Sequence, residues 1–228
     1  MNLRVTDTGM NSAHWNVAVT TAMLEKYAAG DMPETFRFHS YPRAFLLGCN
    51  QKAEKELDVG RCAEMGVEIA HRLTAGAAVY MDPDTLAWDF VADSHMFGMR
   101  MADAIGQAAS VIAGALLRLG VPARVEGFGD IIVEGRKLGG VAGYFEGPGM
   151  ALQGHILRDL DRKAMAGLLR KHSDTRRVRQ PVASLRHLLG QAPALHQMKA
   201  AVLAQIAEQW DVIPTVVDFD ARQLALAA

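Results

Sequence analysis

The sequence predicts an α+β fold built as one domain over residues 1–228. Three observations carry that expectation. Short runs rich in aromatic and aliphatic residues follow one another with few helices between them, one long apolar helix interrupts them in mid-chain, and helical patterns gather in the last third. Repeated βαβ units would alternate the two periods evenly, and this chain does not. No internal repeat or low-complexity linker divides it, and a composition that is 50% hydrophobic and 21% charged is sufficient for a full core.

The elements follow in order. Trp15, Ala18, Val19, Ala22, Met23 and Tyr27 recur at helical spacing, with Ser12 or Asn16 near the start, so 12–29 forms the first helix. After Gly30 and Pro33, the segments 35–41 and 44–48 read as strands split by Pro42. A short helix over 58–65 leads into an extended 67–71. The segment 77–91 reads as a hairpin turning at Asp82-Pro83-Asp84, because proline presets φ and aspartate closes Asx turns. Small and aliphatic side chains line 101–119 almost all round before Gly120 and Pro122, which predicts a buried helix with a glycine stop. Strands are expected at 123–125, 130–133, 136–144 and 150–157, with Glu134-Gly135 forming a tight turn. Helices at 162–169, 184–189, 193–210 and 218–227 complete the chain, the last two forming a C-terminal helical region over 193–227.

A formal net charge of −1 supplies no field to recruit nucleic acid or an anionic membrane surface. The N-terminal residues lack a basic region followed by a long apolar core, and no stretch approaches the ~20 apolar residues of a membrane span, so a cytoplasmic location is expected. Cys49 and Cys62 have neither metal-ligand spacing nor scaffold density and read as reduced, buried structural cysteines. His14, His39, His71, His155 and His172 show no metal-ligand spacing and read as scattered polar residues, so no protein metal site is expected. The cluster Lys171, Arg176, Arg177 and Arg179 reads as a solvated connection.

Two segments can carry chemistry. In HRLTAGAAVYMD, from His71 to Asp82, small side chains follow a strand and an arginine precedes them. Such a loop lets a ligand approach backbone N–H groups while Arg72 adds a fork of donors for phosphate; a plain tight turn is the alternative. In EGRKLGG, a hairpin places Lys137 beside Gly139 and Gly140. A fixed ammonium there can neutralise charge developing on a phosphate, although a surface lysine has the same spacing.

The order of both segments and their flanks resembles the lipoate–protein ligase family, also called the biotin/lipoate A/B protein ligase family. HRLTAGAAVYMD resembles its acyl and nucleotide loop, and GDIIVEGRKLGGVAG its lysine segment. Asn16-Val17-Ala18, Phe45 to Gln51, Leu152-Gln153-Gly154 and RRVRQPVASL stand in corresponding order, so the resemblance covers about 12–190. It implies a class II aminoacyl-tRNA-synthetase/biotin-ligase-like catalytic domain, with a mixed β-sheet flanked by helices.

The implied activity is an ATP-dependent ligation in which lipoate or octanoate is activated as acyl-AMP, with Mg2+, and passed to a lysine of a lipoyl-domain or glycine-cleavage-H-like carrier protein. The resemblance assigns the phosphates to Arg72 and the backbone of Ala77, Ala78, Val79 and Tyr80. Gly76 and Val79 would line the acyl tunnel, and Asp82, at the end of the loop, would be among the residues that bind the nucleotide. Lys137 would bridge the acyl carbonyl and α-phosphate, backed by Gly140, Val141 and Ala142, and Asp130 would help place metal or acceptor lysine. The chain departs from the family pattern at Ala75, Ala77, Met81, Gly129 and Val141, where glycine, glycine, histidine, asparagine and serine are usual. Long family members append an accessory domain, so the resemblance implies either a partner subunit or a stand-alone short ligase. One alternative is an octanoyl or lipoyl transferase working without ATP through a cysteine thioester, but the family's cysteine positions fall near Met150 or Pro122, where this chain has no thiol. The other is a non-catalytic lipoyl-binding homologue.

Overall fold

The computed structural model describes residues 2–98, 100–170 and 181–220. In chain order the elements are β1 (Asn2–Met10), α1 (Ala13–Ala28), β2 (Thr35–Ser40), β3 (Ala44–Leu47), α2 (Ala53–Glu56), α3 (Val59–Glu64), β4 (Glu68–His71), β5 (Val79–Met81), β6 (Thr85–Asp93), α4 (Met101–Arg118), β7 (Arg124–Glu126), β8 (Asp130–Val133), β9 (Arg136–Glu146), β10 (Gly149–Leu157), α5 (Arg162–Ala166), α6 (Leu185–Leu189), α7 (Leu195–Trp210) and β11 (Ile213–Val216). A large mixed sheet runs β11-β1-β2-β6-β10-β9-β8-β7, and a small one runs β4-β3-β5. The expected α+β class, a mixed sheet flanked by helices, is the fold observed.

Alternation along the central strands sorts two unlike faces. Phe36 and Phe38 of β2, Trp88 and Phe90 of β6, and Leu152 and Ile156 of β10 point to one side, where they pack with Ala104, Ala108, Ile112 and Leu116 of α4 and with Met198, Val202 and Ile206 of α7 in the main core. The other side carries Arg37, His39, Asp89, Gln153 and His155. It is covered by α1, whose Val19, Met23 and Leu24 pack with Val91 and Ala151. Ser12 caps α1 by accepting a hydrogen bond from the Trp15 amide.

The sequence expectations require several corrections. Segments 79–81 and 85–93 do not pair as a hairpin: β5 joins β3 in the small sheet, while β6 lies between β2 and β10 in the large one. The turn at Asp82-Pro83-Asp84 therefore transfers the chain between sheets. β1 and β11 were absent from the expectation, and they pair parallel at the sheet edge, Asn2 opposite Ile213 and Val5 opposite Val216. Pro214 is admissible there because an edge strand tolerates a missing donor. The expected helix over 218–227 lies outside the described residues from 221 onward, as does the basic cluster 171–179. Among the described residues, no helix is long and apolar enough to cross a membrane.

Candidate active site

The β8–β9 hairpin delivers the lysine. Glu134 and Gly135 both take positive φ, 49° and 71°, the geometry of a two-residue primed turn. Lys137 follows at the start of β9, opposite Ile132, next to a register shift between Ile131 and Ile132. Lys137 Nζ donates to Asp130 Oδ1 at 2.5 Å, with the two side chains 22% and 27% exposed. Its backbone is gripped from the other side: the Lys137 amide donates to Pro181 O at 2.8 Å, and the Ala183 amide to Lys137 O at 2.8 Å. Gly140 leaves the ammonium room, since a Cβ there would stand 3.2 Å from Lys137 Nζ.

The small-residue loop is built around Arg72. Its Nε donates to Thr74 Oγ1 at 3.0 Å, Nη1 to Leu46 O at 2.7 Å, and Nη2 to the carbonyls of Ala75 and Ala77 at 3.2 and 2.9 Å. With five N–H donors on a guanidinium, this leaves one Nη1–H uncommitted. Burial lowers the Arg72 pKa from 12.5 to about 10, so it stays cationic at neutral pH. Arg72 thus fixes the loop from within, and what it offers a ligand is its charge and a single donor rather than the full fork expected. The loop rests on Gly48, where a Cβ would meet Gly76 O at 2.2 Å.

Between loop and lysine strand lies a cavity of about 410 Å³. Arg72, Gly76, Ala77, Ala78, Val79, Tyr80, Asp130, Lys137, Gly140, Val141 and Ala142 all line it. Asp82 does not. Its carboxylate accepts from the Asp84 amide at 3.0 Å and from Thr85 Oγ1 at 2.9 Å, closing the turn between the sheets, and burial raises its pKa.

The sequence reading missed the floor of the cavity. His39, Tyr41, Asp89, Gln153 and His155 line it, and the two histidines expected to be scattered polar residues are 3% and 9% exposed. Asp89 receives Arg37 Nε at 2.9 Å, Arg37 Nη2, Thr20 Oγ1 at 2.9 Å and Gln153 Nε2 at 3.2 Å. Thr74 Oγ1 in turn donates to Gln153 Oε1 at 3.1 Å, tying this buried pair to the loop. Burial alone would raise the Asp89 pKa, but the Arg37 guanidinium overcomes it and holds the carboxyl below its ordinary value. Burial, reinforced by Arg37, drops His39 to about 3, and burial, reinforced by Lys137 and Arg72, drops His155 to about 3. Both imidazoles are therefore neutral at pH 7. The signal for this floor was present as polar residues at alternate positions inside strands such as FRFH, a pattern that ordinarily marks a solvent face.

Of the two thiols, Cys62 is buried in a small core cluster and Cys49 is exposed; neither lines the cavity. Among the described residues, no group of three or more His, Cys, Asp or Glu could hold a metal ion.

Comparison with known proteins gives consistent likenesses. The model of the lipoyl protein ligase A/B catalytic domain matches residues 12–207. An octanoyltransferase LipM of Kyrpidia tusciae is 27% identical over 238 residues, covering 90% of this chain and 86% of the relative. A crystal structure of lipoate-protein ligase A bound with ATP superposes with a TM-score of 0.87 at 20% identity, covering 99% of this chain and 92% of the other. A bi-partite lipoate protein ligase from Thermoplasma acidophilum, described with its E2 lipoyl domain, gives 0.83 at 20% identity, covering 99% and 90%. The biotin protein ligase of Aquifex aeolicus shares the fold more distantly, with a TM-score of 0.53 at 9% identity, covering 92% and 69%.

Proposed function

This chain belongs to the lipoyl protein ligase A/B catalytic-domain family, and on that premise we propose that it activates lipoate or octanoate with ATP as acyl-AMP and transfers the acyl group to a lysine of a lipoyl carrier protein. The observation that carries this reading is a cavity with a fixed ammonium, Lys137, at one end and no thiol on its wall. An acyl group held there has no cysteine to form a thioester with, so activation falls to a leaving group brought in from outside.

In the first step a carboxylate oxygen attacks the α-phosphorus and pyrophosphate departs. Lys137 would pair with both the carboxyl oxygen and an α-phosphate oxygen, holding side by side two anions that otherwise repel. The backbone of Ala77 to Tyr80 offers amides to the nucleotide, and the positive charge of Arg72 lies beneath them. Magnesium offsets phosphate charge when bound; with Asp130 the carboxylate beside Lys137, the ion would be held mainly by the nucleotide. In the second step the carrier amine attacks the acyl carbonyl, AMP leaves, and the ammonium proton must be accepted. Asp130, released as Lys137 turns to the ligand, is the carboxylate in reach.

The test is to incubate the protein with ATP, Mg2+, lipoate or octanoate, and a panel of lipoyl-domain and glycine-cleavage-H-like carriers. An acyl mass increment on the carrier together with pyrophosphate release is expected; neither appearing would overturn the ligase reading and favour a non-catalytic binder. A second reading, octanoyl transfer from an acyl-carrier donor without ATP, is favoured by relatives named octanoyltransferase LipM. Under that reading carrier modification proceeds without ATP, and replacing Cys49 and Cys62 by serine shows whether either thiol takes part.

A further inference from the structure

Beside the Lys137–Asp130 pair the cavity has an apolar lip. β7 and β8 join through Gly127, Phe128 and Gly129, with Glu126 opposite Asp130 on the two strands. Both glycines take positive φ, 56° and 85°. Phe128, between them, is 72% exposed and yet lines the cavity, so it stands at the opening. Met101 and Ile105 of α4 line the same cavity.

A single exposed aromatic is ordinary on a protein surface. Phe128, however, is held in place by its neighbours. The Val141 amide donates to Gly129 O at 2.9 Å, which ties the turn to β9. Gly129 is also pressed against α4: a Cβ at residue 129 would stand 2.4 Å from Ile105 Cγ2 and 2.7 Å from Val141 O. The asparagine usual at this position in the family tolerates positive φ, but its Cβ has no room here. Glycine at 129 therefore lets the turn close onto α4 and presents Phe128 at the opening, two residues from Asp130.

What enters over this lip is matched when it is apolar along its length and ends in a group that suits a carboxylate. Of the two carboxylates that line the cavity among the described residues, Asp89 is buried against Arg37, and Asp130 is the one beside the lip. Arg124, on the outer strand of the turn, is matched by Glu126. Arg72 belongs to the loop on the other side of the cavity. A lysine side chain has the required form, a methylene stem and a terminal amine. We propose that Phe128, with Met101 and Ile105, is the ledge along which the acceptor lysine of the carrier protein lays its stem. The amine is thereby brought to Asp130 and to the acyl carbonyl at Lys137, where it attacks, AMP departs and Asp130 takes the proton. The proposal rests on the reading that the carrier amine attacks beside Asp130. Phe128 is a positioning residue: covering the stem offsets the entropy lost in ordering a flexible side chain.

Two half-reactions of the full chain test this: pyrophosphate release from ATP and octanoate without carrier, and transfer from octanoyl-AMP to whichever lipoyl-domain or glycine-cleavage-H-like carrier the chain modifies. Phe128→Ala should lower kcat/KM for the carrier about tenfold, the effect of uncovering roughly two methylenes. Pyrophosphate release and the KM for ATP should stay unchanged, and Phe128→Leu should keep part of the carrier rate. A binding cycle separates stem from domain: towards a carrier whose acceptor lysine is replaced by alanine, Phe128→Ala should cost no affinity. An equal loss of affinity for that carrier, an unchanged rate with the native carrier, or a raised KM for ATP, which marks adenine stacking, overturns the proposal while the ligase reading stands. A native chain that neither releases pyrophosphate nor acylates any carrier overturns both.

Discussion

Lys137 is the side chain on which the proposed chemistry turns, and its surroundings separate activity from stability. It is partly exposed and, among the described residues, pairs through its side chain only with Asp130, so Lys137→Ala should leave the melting temperature nearly unchanged while lowering the rate of adenylate formation by about 10²–10³, the usual effect of removing one pre-placed charge donor. Pyrophosphate release measured beside thermal unfolding checks the split; a parallel loss of both would reassign Lys137 to the fold. The buried histidines make the opposite kind of prediction. Their folded pKa values, about 3 for both His39 and His155, lie below the ordinary imidazole value of 6.5. The unfolded chain therefore binds more protons across that interval, so stability is full above pH 6.5 and is lost as pH falls toward 3. At pH 5.5 each histidine should cost on the order of 1 kcal/mol, and urea denaturation at pH 7.5 and 5.5 should show a smaller loss in His155→Gln than in the native chain. Lys137 and Asp130 were legible in the sequence because a turn dipeptide fixed their hairpin. His155 and His39 were not, because a polar residue alternating with aromatics looks the same whether its face meets water or a cavity.

At the scale of elements, the loop from Leu73 to Ala78 owes its shape to three unlike supports: the Arg72 guanidinium inside it, the Thr74–Gln153 hydrogen bond beside it, and Gly48 beneath it. The last is the most rigid, since a methyl group at residue 48 would meet the Gly76 carbonyl at 2.2 Å and backbone cannot rotate aside. Gly48→Ala should thus cost about 1–3 kcal/mol, as overpacking does, and weaken acyl-ligand binding more than Gly60→Ala, where a methyl has open room apart from Asp58 Oδ1 at 3.8 Å. Equal binding by the two variants would dissociate the loop from the ligand. The helices at 101–118 and 195–210 and the strands of the lysine hairpin were readable because their periods and stops lie within a few residues of each other. The misread elements depended on partners far away in sequence. β5 and β6 have the local pattern of a hairpin, yet β3 and β10 compete successfully for their edges. β1 and β11 are strands chiefly because each supplies the other's parallel partner across more than two hundred residues, Asn2 to Ile213.

Taken as a whole molecule, the large sheet divides labour between its faces, and the polar face needs an account of its stability. The aromatic side is an ordinary core with α4 and α7, but on the side covered by α1 the central strands bury an ion pair, Arg37 with Asp89, at 0% and 1% side-chain exposure. That pair draws together four parts of the fold: Thr20 and the Asn16 carbonyl of α1, Arg37 of β2, Asp89 of β6 and Gln153 of β10, which continues to Thr74 in the ligand loop. Desolvating two charges is costly, and hydrophobic replacement of such a pair is often neutral or stabilising, so packing alone does not explain its presence. A pair that locks helix, sheet and loop in one register does. Asp89→Asn removes the charge while keeping the shape, and by leaving Arg37 uncompensated it should cost about 3–5 kcal/mol. Adding Arg37→Met to Asp89→Asn removes the stranded cation, and the double variant should recover a large part of that loss, giving a coupling energy in urea denaturation well outside additivity. The recovered protein should still bind acyl ligand more weakly than the native chain, because a neutral amide oxygen holds Gln153 Nε2 less strongly than the Asp89 carboxylate does. Additive effects would show that the two residues act independently, and full recovery of both stability and binding would show that the ion pair has no part in setting the loop.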